Sequence, residues 1–428
     1  MPRTFEVEIE KLVHGGSGLG RRMGKVVFVP FASPGDRVTV RPVREKKDYI
    51  LGKITEILTH SPSRTTPPCP YYRKCGGCQL QHIAYTHQVE AKLNILKEAL
   101  YHRFPYTRGI PVKMEPCLRP FGYRSRARIQ LRKSGSNVTV GFFRFESHEI
   151  EAIENCLLLR PPLDRALQEI RNTEPAHGIS ANIKELDIAG SNEENLWTSS
   201  PSTTDSSIHV NQTLKIPEQW NPGLLLERKV GDFAYSVAAP VFFQANDFMI
   251  ERMVELVREM ASIEIRDSAL ELFAGVGLLT LPLANLYKKV TAVENCQTAS
   301  NLCSGNVSSA GINSVNTICA DVSDWLQSCS RHEKAPLDLV LLDPPRSGAG
   351  RETMQRIESL EPQTIIYVSC DPQTLLRDLS CLSTEAYSID RIESLDMFPQ
   401  TFHFETLVRL VSTKYRRSKV ESQKSKNR

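Results

Sequence analysis

The 428-residue sequence has no apolar run approaching the ~18 residues that a membrane-crossing helix needs. Its strongest stretch, Leu337 to Leu342, is interrupted by Asp338 and closed by Asp343, so no membrane partner is expected. The first residues alternate at once between apolar and charged, as in Phe5-Glu6-Val7-Glu8, without the apolar centre of a signal peptide. A cytoplasmic location is expected. Excess charge of one sign is also missing: 53 basic against 49 acidic residues leave a net +4, too little to announce a polyanionic partner from totals alone. With 24% charged residues, 23 Gly and 26 Pro, the composition lies near globular averages and excludes low-complexity or wholly disordered architecture. At this length two or three domains are expected.

Local distribution says more than the totals. Residues 119–133 contain no acid but hold Arg119, Arg124, Arg126, Arg128, Arg132 and Lys133. Such a stretch is a candidate phosphate-binding strand face, with Phe121 and Tyr123 as candidates for stacking on bases. From Lys414 onward seven basic residues stand against one acid, Glu421, and this tail (414–428) is expected to be disordered.

Eleven cysteines in a cytosolic chain do not read as a disulfide framework. Three of them, Cys69, Cys75 and Cys78, cluster behind the breaker run Thr65-Thr66-Pro67-Pro68, where side chains can converge on one metal. Cys156 is the expected fourth ligand, with Cys117 as the other candidate. Four thiolates suit tetrahedral zinc or an iron–sulfur cluster, and spacing does not separate the two. The paired Gly76-Gly77 lets the backbone turn tightly around a bulky group, which favours iron and sulfur.

The pattern divides the chain into an N-terminal small β-barrel over 1–60, a central β-rich region over 61–240 and an α/β domain over 241–413. The barrel rests on short alternating strands such as Val26-Val27-Phe28-Val29, separated by turns at Gly15-Gly16-Ser17-Gly18 and Ser33-Pro34-Gly35-Asp36. A helix is expected over Thr86 to Tyr101, burying Val89, Leu93, Leu96 and Leu100. Residues 119–240 read mostly as strand, with Ser191 to Ser207 as a surface loop. From Phe243 strands and helices alternate, which implies a largely parallel sheet.

Chemistry-bearing residues fall at the ends of those strands. Ser268 to Phe273 runs into Ala274-Gly275-Val276-Gly277 and a helix, a turn that lets a ligand approach the main chain closely. The next strand ends in Glu294, whose carboxylate can bind a ribose diol, and the third is followed by Asp321, placed to contact an adenine edge. The glycine turn lacks the third glycine of nicotinamide-dinucleotide sites, so S-adenosyl-methionine is the better ligand. The fourth and fifth strands deliver Asp343-Pro344-Pro345-Arg346 and Cys370-Asp371-Pro372, and His403 and Glu405 stand two apart on one extended face.

Cys69-x5-Cys75-Gly-Gly-Cys78, Phe242-Phe243-Gln244-x-Asn246, Asp343-Pro344-Pro345-Arg346-x-Gly348, Ser369-Cys370-Asp371-Pro372 and Phe398-Pro399-x-Thr401-x-His403-x-Glu405 together resemble the RNA uracil-5-methyltransferases. The resemblance is greatest to the 23S ribosomal RNA branch with a 4Fe–4S cluster and an N-terminal TRAM domain, and it spans residue 5 to about 412. It implies an OB-like TRAM barrel, a Rossmann-like methyltransferase domain and a monomer. It places S-adenosyl-methionine contacts on Gln244, Phe273, Glu294 and Asp343 with Asp321 nearby, and cluster ligands on Cys69, Cys75, Cys78 and Cys156. Two residues depart from the family: Leu278 stands where an Asn is frequent, and Asp371 where Asn commonly follows the nucleophile.

Carbon 5 of uracil is too weak a nucleophile to take a methyl group directly. By this resemblance Cys370 adds to carbon 6, and Glu405 removes the carbon 5 proton after methyl transfer. Both faces of the base are needed, so the uridine is flipped out of its stack. The alternatives are a transfer-RNA enzyme of the same chemistry and a non-catalytic iron–sulfur RNA-binding protein.

Overall fold

The computed structural model describes residues 4–134, 137–172, 184–190, 197–201, 225–329 and 337–415. Strands β1 (Phe5–Leu12), β2 (Ser17–Arg22), β3 (Lys25–Pro30), β4 (Arg37–Glu45) and β5 (Tyr49–Thr59) close into a barrel in the order β1-β2-β3-β5-β4. Strict alternation drives the closure: Phe5, Val7 and Ile9 point inward while Glu6, Glu8 and Glu10 face solvent. The inward set packs with Val27, Val29, Val38 and Val40 into one core.

Helix α1 (Tyr85–Arg103) lies where the sequence indicates, but its buried face differs. Gln88, Lys92, Leu96 and Leu100 are buried, whereas Val89 and Leu93 are only partly so. The polar pair can occupy the seam because each is satisfied there. The Gln88 amide donates to Leu80 O, Ile83 O and the Gln400 side chain, and Lys92 Nζ lies 2.6 Å from Asp396 Oδ1 and 3.1 Å from Phe398 O. These bonds tie α1 to the segment that carries His403 and Glu405. Lys92→Met leaves the Asp396 carboxylate buried and unpaired, and is expected to cost about 3–5 kcal/mol in a urea unfolding midpoint. A shift worth less than ~1 kcal/mol would show that the pair does not hold the helix.

After α1 come β6 (Met114–Glu115), β7 (Arg126–Ser134), β8 (Asn137–Phe143), β9 (Ile150–Ala152), α2 (Pro161–Asn172), β10 (Glu185–Gly190) and β11 (Trp197–Pro201). They form a five-stranded sheet ordered β11-β10-β7-β8-β9, from which β6 is excluded. The region read as mostly strand therefore also holds a helix, whose Leu163, Ala166, Leu167 and Ile170 pack on Ile129, Leu131 and Ile188. Within the expected Ser191–Ser207 loop, Trp197–Pro201 pairs with β10. The rest of that segment, and the tail from 416, lie outside the described residues.

A hairpin of β12 (Leu226–Val230) and β13 (Phe233–Val237) and helix α3 (Ile250–Ala261) lead into the α/β domain. Its elements are β14 (Ser268–Leu272), α4 (Thr280–Ala284), β15 (Lys289–Glu294), α5 (Gln297–Ser309), β16 (Val315–Cys319), α6 (Val322–Cys329), β17 (Leu339–Leu342), α7 (Arg351–Ser359), β18 (Thr364–Ser369), α8 (Pro372–Leu379), β19 (Tyr387–Leu395) and β20 (Glu405–Ser412). The sheet order is β16-β15-β14-β17-β18-β20-β19-β6. β14 to β18 are parallel, β20 is antiparallel to β18, and β6 joins the far edge from before the central sheet. β17 and β18 are buried throughout, as strands covered on both faces must be. The order reverses between β14 and β17, so their carboxyl ends open the crevice in which such sheets bind ligands. No described helix is long and apolar enough to cross a membrane.

Candidate active site

At the end of β14 the chain turns through Phe273, whose φ of 62° is a conformation that costs a bulky residue energy. Gly275 and Gly277 follow with φ of 57° and 90°, which glycine adopts freely. The turn is anchored from the neighbouring strand: Gly275 N donates to Glu294 Oε2 at 2.9 Å, and Cys296 N donates to Oε1 at 2.8 Å. Phe242, Gln244, Glu271, Phe273, Gly275, Leu278 and Asp343 line one small cavity of about 50 Å³ here. Gln244 Nε2 lies 3.4 Å from Asp343 Oδ2 across it. Three of the five expected cofactor contacts thus meet in one cavity, with Glu294 bonded to its wall. Asp321 stands apart, exposed at the start of α6, where its Oδ1 accepts from Ser323 N and Asp324 N.

Glu271 is a site residue that the sequence reading passed over. It is buried, its Oε2 has no hydrogen-bond partner, and burial with the nearby Asp343 and Glu294 pushes its carboxyl up to about 8. A lone carboxylate inside Ala269-Leu270-Glu271-Leu272 was its signal, since acids are rarely buried without a partner. Leu278 is buried and forms apolar wall where the family frequently has an amide.

Asp343 joins this cavity to the second group of residues. Burial pushes its carboxyl up to about 7, against the lowering effect of Gln244. Glu405, at the start of β20, is raised well above the usual carboxylate range by burial and by Asp343, with Arg346 acting in the opposite sense. Cys370, at the end of β18, is half-buried, and its thiol is pushed up to about 12. Burial is the main cause; Glu405, Asp343 and Asp371 add to it and Arg346 opposes it. Cys370, Glu405, Asp343 and Arg346 are therefore close enough to sense each other's charge. Arg346 stood in the quoted motif without an assigned role, and only its position shows it to be the cation that favours the thiolate.

The thiol is thus neutral at pH 7. Alkylation of Cys370 by iodoacetamide, followed peptide by peptide, is expected to rise without levelling from pH 7 to 10. In Glu405→Gln it is expected to be faster towards the alkaline end of that range, where the wild-type carboxyl is ionised and opposes loss of the thiol proton. A plateau near pH 8 in the wild type would contradict the raised thiol.

Asp371 has three partners. Oδ1 accepts from Gln373 N and Thr374 N and so caps α8, while Oδ2 lies 3.2 Å from His14 Nε2 of the barrel. His14 also meets the Phe402 ring edge-on at 5.4 Å, and Phe402 lies 3.9 Å from the His403 ring. The barrel is therefore in contact with both segments that flank the reactive side chains. His403 itself is buried enough to be held neutral, its basicity lowered to about 3 by burial and by Arg346.

The basic stretch is used differently from expectation. Arg126 points inward and donates to Val241 O and Ala239 O, fixing the loop that leads to Gln244, and Tyr123 is fully buried with its hydroxyl on Pro399 O. Neither is available to RNA, because burial and carbonyl acceptors already claim them. Phe242 is instead the exposed aromatic, 63% accessible, at the cofactor cavity.

Cys69, Cys75, Cys78 and Cys156 line a single cavity of about 250 Å³. Cys117 is elsewhere, buried against Asn246. Among the described residues no three His, Cys, Asp or Glu side chains are arranged to hold a single metal ion. The four expected ligands therefore share one cavity wall, and that shared cavity is what the structure adds to their spacing in the sequence.

Two family models match this chain. One, described as tRNA (Uracil-5-)-methyltransferase, covers residues 225–413; the other, described as tRNA (uracil(54)-C(5))-methyltransferase, TRAM domain, covers residues 5–63. The chain is 31% identical to an uncharacterised RNA methyltransferase of Aquifex aeolicus, over 95% of its own length and 98% of that protein. It is 29% identical to the 23S rRNA (uracil(1939)-C(5))-methyltransferase of Shewanella amazonensis, over 95% of each chain. The crystal structure of Pyrococcus abyssi tRNA (uracil-54, C5)-methyltransferase in complex with S-adenosyl-L-homocysteine shares the fold. Its TM-score is 0.70 at 22% identity, covering 95% of this chain and 100% of that one.

Proposed function

The chain belongs to the RNA uracil-5-methyltransferases that carry a TRAM domain, and from that membership we propose that it methylates carbon 5 of a uridine in 23S ribosomal RNA through a covalent Cys370 adduct. The observation that carries this reading is the convergence of Cys370, Glu405 and Asp343 beside the cavity lined by Gln244 and Phe273. The cavity's chemistry fits the methyl donor: two recessed carboxyls, Glu271 and Asp343, are raised by burial, and a positively charged ligand beside them would favour their ionised forms. S-adenosyl-methionine supplies a methyl group on a cationic sulfur.

The chain's own residues do the rest. Cys370, which is partly open to solvent, passes its proton to water as Sγ bonds carbon 6, and the carbon 5–carbon 6 pair of electrons becomes an enolate. Carbon 5 then takes the methyl group and bears it together with a proton. Glu405 accepts that proton, the double bond re-forms, and the carbon 6–sulfur bond breaks to return the cysteine. Phe242 presents an exposed ring beside this space and is suited to stacking on RNA bases.

We further propose that Cys69, Cys75, Cys78 and Cys156 hold a 4Fe–4S cluster, which would tie the Cys69–Cys78 loop to the central sheet. A second reading, methylation of transfer RNA, draws support from the descriptions of both matching family models. Mapping 5-methyluridine in ribosomal and transfer RNA from a strain lacking this protein separates the two. Loss of one ribosomal 5-methyluridine is expected; loss confined to transfer RNA would overturn the ribosomal assignment, and an unchanged map of both would overturn the activity.

A further inference from the structure

The four-cysteine chamber contains a charge that the proposed chemistry does not use. Two cations, Arg124 and Arg128, stand among its lining residues, and no Asp or Glu does. Arg128 is satisfied outside the chamber, 2.9 Å from Asp187 and 3.5 Å from Glu185. Arg124 is not. Its main chain donates to Leu158 O and accepts from Arg160 N, but its side-chain Nε is sealed from solvent without a hydrogen-bond partner. Its guanidinium forms no ion pair with any described residue.

A guanidinium does not shed its proton in a protein. Arg124 is partly buried as a whole, but its sealed Nε leaves one donor of a fixed cation unmet at the cavity wall, a cost that an anion in the chamber would relieve. The rest of the wall, including Ala127, Phe142, Ile153 and Leu158, offers no such anion.

We propose that Arg124 is the counter-ion of the anionic metal–sulfur group held by the four cysteines, an inference that rests on the cluster reading above. Four thiolates on an iron–sulfur core leave net negative charge on the whole. A fixed cation at the wall stabilises that charge and favours each added electron. Gly77 N, which donates to Cys75 Sγ at 3.4 Å, acts in the same sense. The position also links the chamber to the methyl-donor cavity: Arg124 bridges Asn246 through the main chain, and the adjacent Ser125 N donates to Ala245 O. Both partners directly follow Gln244.

The test uses the full chain, purified anaerobically as wild type, Arg124→Leu and Arg124→Lys. Iron and acid-labile sulfide are counted, the midpoint potential is measured by titration followed with electron paramagnetic resonance, and iron loss to a chelator is timed. In the Leu variant the potential is expected to move to more negative values and iron to leave severalfold faster, while Lys stays near the wild type. The metal-stripped chains reverse the order: Leu melts above the wild type, because an unpaired cation has been removed. A merely structural arginine would not produce that reversal. Wild type without iron and sulfide overturns the cluster reading and this inference with it. An intact cluster with unchanged potential and loss rate in Arg124→Leu, or a stripped Leu variant that melts below the wild type, overturns the role of Arg124 alone.

Discussion

Cys370→Ala is expected to lower methyl transfer more than about 10⁴-fold, equivalent to ~5 kcal/mol of lost transition-state stabilisation. It is also expected to abolish any covalent protein–RNA species on a denaturing gel. The size of the effect follows from the substrate. Without addition at carbon 6, carbon 5 has no electron pair to offer, so no other residue of the site can compensate. Folding should hardly respond, since the side chain is half-buried at a strand end and makes no hydrogen bond with any described residue. RNA binding should likewise persist. Turnover within tenfold of wild type, or a persistent adduct, would remove Cys370 from the reaction.

Glu405→Gln is expected to separate the two halves of the chemistry. The amide keeps the shape of the carboxyl but cannot accept a proton, so adduct formation continues and release slows about 10²–10⁴-fold. The covalent species should therefore accumulate in this variant and vanish in Cys370→Ala. Adduct formation should not suffer, because Glu405 is among the groups that hold the thiol protonated. In the wild type the carboxyl is raised well above its ordinary range by burial and Asp343. Its basic form therefore grows as pH rises through that elevated value, and adduct release should quicken in the same direction. Equal loss of adduct in both variants would rule out distinct roles for the two residues.

Where expectation and structure part, the cause is a polar partner distant in sequence. The apolar spacing of α1 pointed to Val89 and Leu93, but Lys92 and Gln88 take the seam because Asp396 and Gln400, some three hundred residues on, meet them there. Arg126 looked like a surface cation until the 239–243 loop supplied its carbonyl acceptors. His14 carried no local signal at all, and its place beside Asp371 exists only because the barrel packs against α8.

Local chemistry is what the sequence by itself determined. Alternation specified the barrel strands, glycines with the preceding apolar run specified the cofactor turn, and continuous apolar strands specified a sheet covered on both faces. Residue type at each strand end then marked Asp343, Cys370 and Glu405, since strand ends can be read from the period of the pattern. Only the tertiary structure decided which charges stand near one another. It brought Arg346 and Asp343 into one electrostatic group around Cys370 and Glu405, set Glu271 within reach of Asp343, and left Arg124 in the wall of the four-cysteine cavity. A side chain's charge reaches through space and not along the chain, and proton affinities depend on that distance and on burial, neither of which any local window of sequence contains.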